Sequence, residues 1–240
     1  TYSAIPTITD LSGNNISTTL PTGEDYETYT VDNVAPTITS FTRQTPSTTP
    51  TNSDTLIFQT LFSEAVNGVG ITDFAVDGSS TASVSAVTGS GTTYAVTVSG
   101  GDLDEFDGVV GLNFNSPSIT DLAGNPLPGT EPSTDQTYTL DNTAPWATSF
   151  AYNTPASSPT NATTLIYQVT FSESVSNVGA TDFTVAGGST AGVTGLSGSG
   201  TTYLVTISGG NLSTFSGDVN LNFVASPTIQ DAVGNPLTNT

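Results

Sequence analysis

Oxygen donors recur in this chain at fixed spacing, and cations do not accompany them. Asp32 and Asn33, then Glu64, Asp73 and Asp121, are matched 109 positions later by Asp141, Asn142, Glu173 and Asp182, with Asp231 following after a one-residue insertion. Carboxylates gathered without a base repel one another, and the partner that suits them is a hard cation. Calcium takes about 6–8 oxygens at roughly 2.3–2.6 Å in flexible geometry, which Asn side chains and loop carbonyls can complete. Magnesium demands a stricter octahedron and keeps its waters, so the donor set favours calcium. Each acid alone is also a good turn former through side-chain bonds to backbone N–H groups. What separates the cation reading from turn chemistry is that the whole set recurs.

The charge balance points the same way. Of 240 residues, 21 are acidic and 1 is basic, giving a net charge of −20 with histidine and cysteine both absent. Arg43 is the single cation. A serine nucleophile would need a positioned His or Lys, and a zinc site would need His or Cys, so the reading is of a protein that is not an enzyme. Nucleic-acid binding draws on Lys and Arg to release counterions, and anionic membrane surfaces ask for the same residues. No run of about 18 apolar residues suggests membrane insertion. The absence of an initiator methionine and of a signal peptide suggests an internal piece of something longer.

The elements that must position these acids are strands. Apolar residues alternate with a period of 2. Leu56, Phe58 and Phe62 form one set, Tyr94, Val96 and Val98 another, and Val110, Leu112 and Phe114 a third. The second copy keeps the pattern in Leu165, Tyr167, Val169 and Phe171, in Tyr203, Val205 and Ile207, and in Val219, Leu221 and Phe223. Seven strands per unit follow, near 36–42, 54–63, 72–76, 81–88, 92–99, 108–114 and 136–141. Seven short strands in about 100 residues is the immunoglobulin-like pattern. The expected fold is therefore all-β, with tandem seven-stranded sandwiches arranged end to end.

The repeat sets the boundaries. Residues 1–31 echo the end of a unit: Ile8–Asn14 resembles Ile119–Asn125, and Thr28-Tyr29-Thr30 resembles Thr137-Tyr138-Thr139. Residues 32–140 form the first full repeat, and residues 141–240 form a second that lacks the counterpart of its last strand. The simplest expectation is that the sequence stops short of that strand; the alternative, since an exposed edge invites pairing, is that residues 24–33 of a neighbouring chain fill it by strand complementation. In a seven-strand sandwich the chain alternates between poles. The turn after the second strand, the start of the third and the loop before the seventh all return to the pole where the linker enters. That places Glu64, Asp73 and Asp121 beside Asp32 and Asn33, and Glu173, Asp182 and Asp231 beside Asp141 and Asn142.

Other features carry weaker signals. Asp102, Asp104, Glu105 and Asp107 form an acidic loop expected at the opposite pole, facing the Asp141 linker, and solvated rather than EF-hand-like in spacing. Trp146 stands where the first repeat has Thr37, and packing at the joint is its simplest role, with sugar stacking the alternative.

In combination, several motifs resemble the bacterial Ig-like tandem repeats of large cell-surface and biofilm adhesins. They are the linker at Asp32–Pro36 and Asp141–Pro145, Phe-Ser-Glu at Phe62–Glu64 and Phe171–Glu173, Thr-Asp-Phe at Thr72–Phe74 and Thr181–Phe183, and Asp-x-x-Gly-Asn at Asp121–Asn125 and Asp231–Asn235. The linker also resembles that of cadherins, though it is shorter. The resemblance implies an extracellular, cell-surface spacer whose neighbouring repeats are stiffened by calcium at their joints. Two other functions fit the sequence: a subunit of an extracellular filament or surface layer built from identical chains, and a carbohydrate- or receptor-binding module.

Overall fold

Alternating side chains make strands that bury one face, and the buried faces meet in pairs of sheets. The computed structural model describes residues 9–15, 28–115 and 118–238. By their contacts they divide into two units, Thr1–Val34 and Ala35–Thr240. In the first unit Thr9 bridges Asn15 across the Asp10 turn. Ile8 of the N-terminal echo and residues 24–27 of the proposed donor strand lie outside the described residues.

The second unit begins with β1 (Ile38–Thr45), β2 (Thr55–Phe62), β3 (Val66–Asn67), β4 (Phe74–Gly78), β5 (Ser83–Ser90), β6 (Thr93–Ser99) and β7 (Gly108–Phe114). The short strands β8 (Thr120–Asp121), β9 (Thr134–Asp135) and β10 (Tyr138–Leu140) follow. One sheet has the order β5-β6-β2-β1-β9 and a second the order β10-β7-β4. Phe41, Leu56, Phe58 and Val96 from the first sheet share one core with Phe74, Val110, Leu112 and Tyr138 from the second. Two sheets facing across one core form a β-sandwich. The alternation read from the sequence holds: Leu56, Phe58, Val96 and Val98 are fully buried, while Leu61 is exposed.

The pairing repeats along the chain. The next strands are β11 (Ala147–Thr154), β12 (Thr164–Val175), β13 (Phe183–Ala186), β14 (Gly192–Ser208) and β15 (Asn220–Phe223). Thr164 pairs with Ser208 as Thr55 pairs with Ser99. β14 covers the stretch that β5 and β6 cover in the first repeat and folds back on itself, bringing Thr194 Oγ1 to 2.8 Å from Ser208 Oγ. A second core forms around Val169, Phe171, Val205, Ile207 and Leu221. Here the sheets are β11-β12-β14 and β13-β15.

Two details differ from the sequence expectation. The segment near 72–76 begins as a 3-10 turn, Ile71–Asp73, before β4, and Ala180–Asp182 does the same before β13. The stretch equivalent to β7 is a strand only from Asn220 onward, because among the described residues nothing pairs with positions 217–219.

Candidate metal centre

Three segments of the second repeat carry an acid to the same place. The linker after β10 supplies Asp141, β12 supplies Glu173, and the turn after the last bridge supplies Asp231. The positioning is done by the backbone. Ser172 N donates to Trp146 O, tying β12 to the start of β11. Ser176 and Gln230 exchange backbone bonds of 2.7 and 3.3 Å, which brings β12 beside the Asp231 turn. Thr238 N donates to Pro145 O and closes the turn onto the linker. One carboxylate oxygen from each of Asp141, Glu173 and Asp231 lies within 4.8 Å of the others.

Asp231 is buried because its turn wraps around it. Its Oδ1 accepts the backbone N–H groups of Val233, Gly234 and Asn235 at 2.9, 2.7 and 2.8 Å, and its Oδ2 accepts Asn235 Nδ2 at 2.8 Å. Gly234 sits at φ +103°, a conformation that favours glycine. The same turn occurs at Asp121, which accepts from Ala123 N, Asn125 N and Asn125 Nδ2. It occurs again at Asp10, which accepts from Ser12 N, Asn14 N and Asn14 Nδ2. The Asp-x-x-Gly-Asn sequence is thus a local fold that wraps backbone and amide N–H groups around its own carboxylate.

The cluster holds charge that nothing cationic offsets. Burial, then the charges of Asp231 and Asp107, push the Asp141 carboxyl above its ordinary range. Burial, then Asp141, Asp231 and Asp107, do the same to Glu173. Two unit charges at that separation repel by roughly 3 kcal/mol at an effective dielectric of about 20. Solvent reduces this for Asp141 and Glu173, which are only partly buried. The one cation is spent elsewhere: Arg43 donates to Thr137 O at 2.6 Å. An all-oxygen donor set with uncompensated negative charge fits a hard divalent cation.

Asp182 does not join this group, contrary to the pole argument. Its Oδ2 accepts Gly179 N at 2.7 Å, and its Oδ1 accepts Thr228 N and Thr228 Oγ1 at 2.7 and 3.0 Å. The carboxylate is buried and occupied in closing the 3-10 turn. Asp73 has the same role, with Gly70 N on Oδ2 and Ser118 N and Oγ on Oδ1. The signal was present in the sequence as Gly-x-x-Asp at Gly70–Asp73 and Gly179–Asp182, a capping spacing in which the acid reaches back to the turn's first N–H.

Asn142 latches the linker to the first repeat. Its Nδ2 donates to Leu103 O and Phe106 O at 3.0 and 2.8 Å, and its backbone N–H donates to Asp107 Oδ1 at 2.6 Å. Thr143 Oγ1 donates to Asp107 Oδ2 at 2.5 Å. The acidic loop does therefore face the linker, but one member, Asp107, does the work. Asp102 instead accepts Ser80 Oγ and Thr81 N, a task that Asn211 performs in the second repeat for Ser189 Oγ and Thr190 N.

Asn235 is the residue that the sequence reading overlooked as a site residue. Its Nδ2 donates to Asp141 O at 2.8 Å as well as to Asp231, and its Oδ1 accepts Asn52 Nδ2 at 3.0 Å. It thus ties the acidic turn to the linker and to the first repeat. In the first repeat, Glu64 is partly buried, and β3 pairs with β8, placing Val66 opposite Asp121. Asp32 and Asn33 belong to the unit Thr1–Val34 and are exposed, with Val34 N donating to Asp32 Oδ1. Trp146 is 43% exposed, and its backbone bridges Thr238. No helix among the described residues is long and apolar enough to cross a membrane.

No family model, curated protein or solved structure matches the chain.

Proposed function

We propose that this chain is a non-catalytic structural segment of an extracellular bacterial adhesin, built of Ig-like sandwiches placed end to end. A calcium ion held by Asp141, Glu173 and Asp231 stiffens the joint between its two repeats. The observation that carries this reading is the convergence of those three carboxylates, from three separate segments, on the linker itself. The chain's own residues do the positioning. Asp231 is locked by its turn, Asn235 ties that turn to Asp141 O, and Asp107 and Asn142 hold the linker from the first repeat. The cation supplies charge neutralisation, which lets the acids remain ionised at close range. Removing it leaves the hydrogen-bonded latch but restores the repulsion, so the joint loosens without unfolding either sandwich.

Titration calorimetry with calcium chloride and, separately, magnesium chloride tests this. The expected result is calcium binding at about 10⁻⁴–10⁻³ M, lost in Glu173→Gln, with small-angle scattering showing a narrower distribution of conformations on calcium addition. No calcium heat together with scattering unchanged by chelator would overturn the reading.

A further inference from the structure

The first repeat reaches the Asp231 turn through a side chain. The loop between β1 and β2 carries Pro50-Thr51-Asn52, and Thr51 straps that loop to the linker. Thr51 N donates to Thr139 O, and Asp141 N donates to Thr51 O, both at 3.0 Å. Thr51 is buried and pairs with Leu140 in a parallel bridge. With its neighbour pinned in this way, Asn52 lies against the acidic turn of the second repeat. Its Nδ2 donates to Asn235 Oδ1 at 3.0 Å and stands 4.0 Å from where a Cβ on Gly234 would sit.

Asn235 passes that contact on. It is 7% exposed, and its amide faces two ways. Oδ1 turns to Asn52, while Nδ2 donates to Asp141 O and to Asp231 Oδ2, both at 2.8 Å. Asp231 Oδ1 already accepts three backbone N–H groups. A carboxylate oxygen offers two lone pairs. Oδ2, with one bond among the described residues, is therefore the oxygen with capacity left for a cation. The amide that orients this oxygen is the one that Asn52 holds from the other repeat.

We infer, resting on the calcium reading of this centre, that Asn52 is a positioning residue for it and couples it to the seating of the first repeat on the second. Asn52 supplies no ligand. It fixes Asn235, and Asn235 fixes Asp231 Oδ2 relative to the Asp141 backbone. Partners one bond behind the ligands change metal affinity by about 10–100-fold; Asn52 is exposed, which puts it at the lower end. The coupling is reciprocal. Whatever factor the Asn52–Asn235 contact adds to calcium binding, calcium adds to that contact. A bend that parts the two amides thus lowers affinity for the ion, and a bound ion resists the bend.

The second repeat provides its own control. Pro159-Thr160-Asn161 repeats Pro50-Thr51-Asn52 at the 109-residue spacing. The two loops fold alike: Ala162 N donates to Thr160 Oγ1 at 3.1 Å, as Ser53 N donates to Thr51 Oγ1 at 3.2 Å. Asn161 precedes β12, whereas Glu173 lies near the other end of that strand. The same amide is therefore present a strand's length from the carboxylates.

The test is calorimetric titration of calcium chloride into the 240-residue chain and into Asn52→Ala, Asn52→Gln and Asn161→Ala, joined to denaturant unfolding in chelator followed by Trp146 fluorescence. The expected result is calcium binding weakened about tenfold by Asn52→Ala, with metal-free unfolding of the second repeat unchanged. Asn52→Gln, which keeps an amide donor, recovers part of the affinity, and Asn161→Ala binds as the unaltered chain does. Equal calcium affinity in the unaltered chain and in Asn52→Ala would overturn the inference and leave the calcium reading standing. No calcium binding by the unaltered chain would overturn both. A loss as large in Asn161→Ala, or an Asn52→Ala loss matched by earlier unfolding in chelator, would overturn the positioning role in favour of a merely structural one.

Discussion

The first and second repeats place the same phenylalanine in opposite circumstances. Phe41 is fully buried, on a strand flanked by β9 and with its ring against Phe74, while Phe150, on the corresponding strand β11, is 37% exposed. The two cores share their central residues: Val96 and Val205, Val98 and Ile207, and Phe62 and Phe171 are all buried. What differs is the strand that carries Tyr138. A sandwich of this kind thus holds its shape on its central strands, while the closing strand decides whether one edge is core or surface.

The largest effect comes from making the first repeat resemble the second. Tyr138→Ala removes a fully buried ring and its bond to Ile57 O, and truncations of this kind cost about 3–5 kcal/mol. Denaturant unfolding should show the first repeat losing that amount, with Phe41 becoming accessible. If the loss stays below about 1 kcal/mol, the closing strand is not what distinguishes the repeats.

The next effect should be equal in the two repeats, because it touches what they share. Asp182→Ala leaves Gly179 N and Thr228 N without their buried acceptor, a loss of about 2–4 kcal/mol. Asp73→Ala should cost the first repeat a similar amount through Gly70 N and Ser118 N. Trp146, the one tryptophan, reports the second repeat by fluorescence, so Asp182→Ala should move its transition and Asp73→Ala should not. A calcium response that survives Asp182→Ala would separate this acid from the metal centre, as the geometry does.

The sequence was most informative where a residue's task is set by its own neighbours. Alternation at Leu56–Phe62 and Tyr94–Val98 announced which side chains face inward, since a period of 2 leaves one solution. The 109-residue repeat announced that the acids recur together. It did not say which of five would converge, because Asp73 and Asp182 spend one oxygen on their own four-residue turn and the other on a distant Ser118 or Thr228, a partner no local pattern encodes. Asn142 and Asn235 were illegible for the same reason, their amides bonding carbonyls more than 30 and 90 positions away.

The smallest effect lies at the linker, where Glu173 and Asp141 titrate in one sense and Asp107 in the other. Burial and neighbouring carboxylates raise the pKa of Glu173 and Asp141. A raised carboxyl is protonated more readily in the folded state. Its contribution is therefore full below the ordinary value of about 4 and is lost as pH climbs through the raised value. Asp107 behaves oppositely. The Thr143 hydroxyl and Asn142 N–H lower its pKa, so its contribution is present above about 4 and fades as pH falls through the lowered value. Metal-free protein should thus lose second-repeat stability as pH rises from about 4, and calcium should cancel that loss. Glu173→Gln should flatten the slope and stabilise the metal-free form by roughly 0.5–1 kcal/mol. Asp107→Asn should leave that slope nearly unchanged and remove only the acid-side dependence. A pH profile in chelator, followed by Trp146 fluorescence, distinguishes the two. If Glu173→Gln destabilised the metal-free protein, the cluster would be held by bonds to Glu173 rather than strained by its charge, and the case for a missing cation would fall with it.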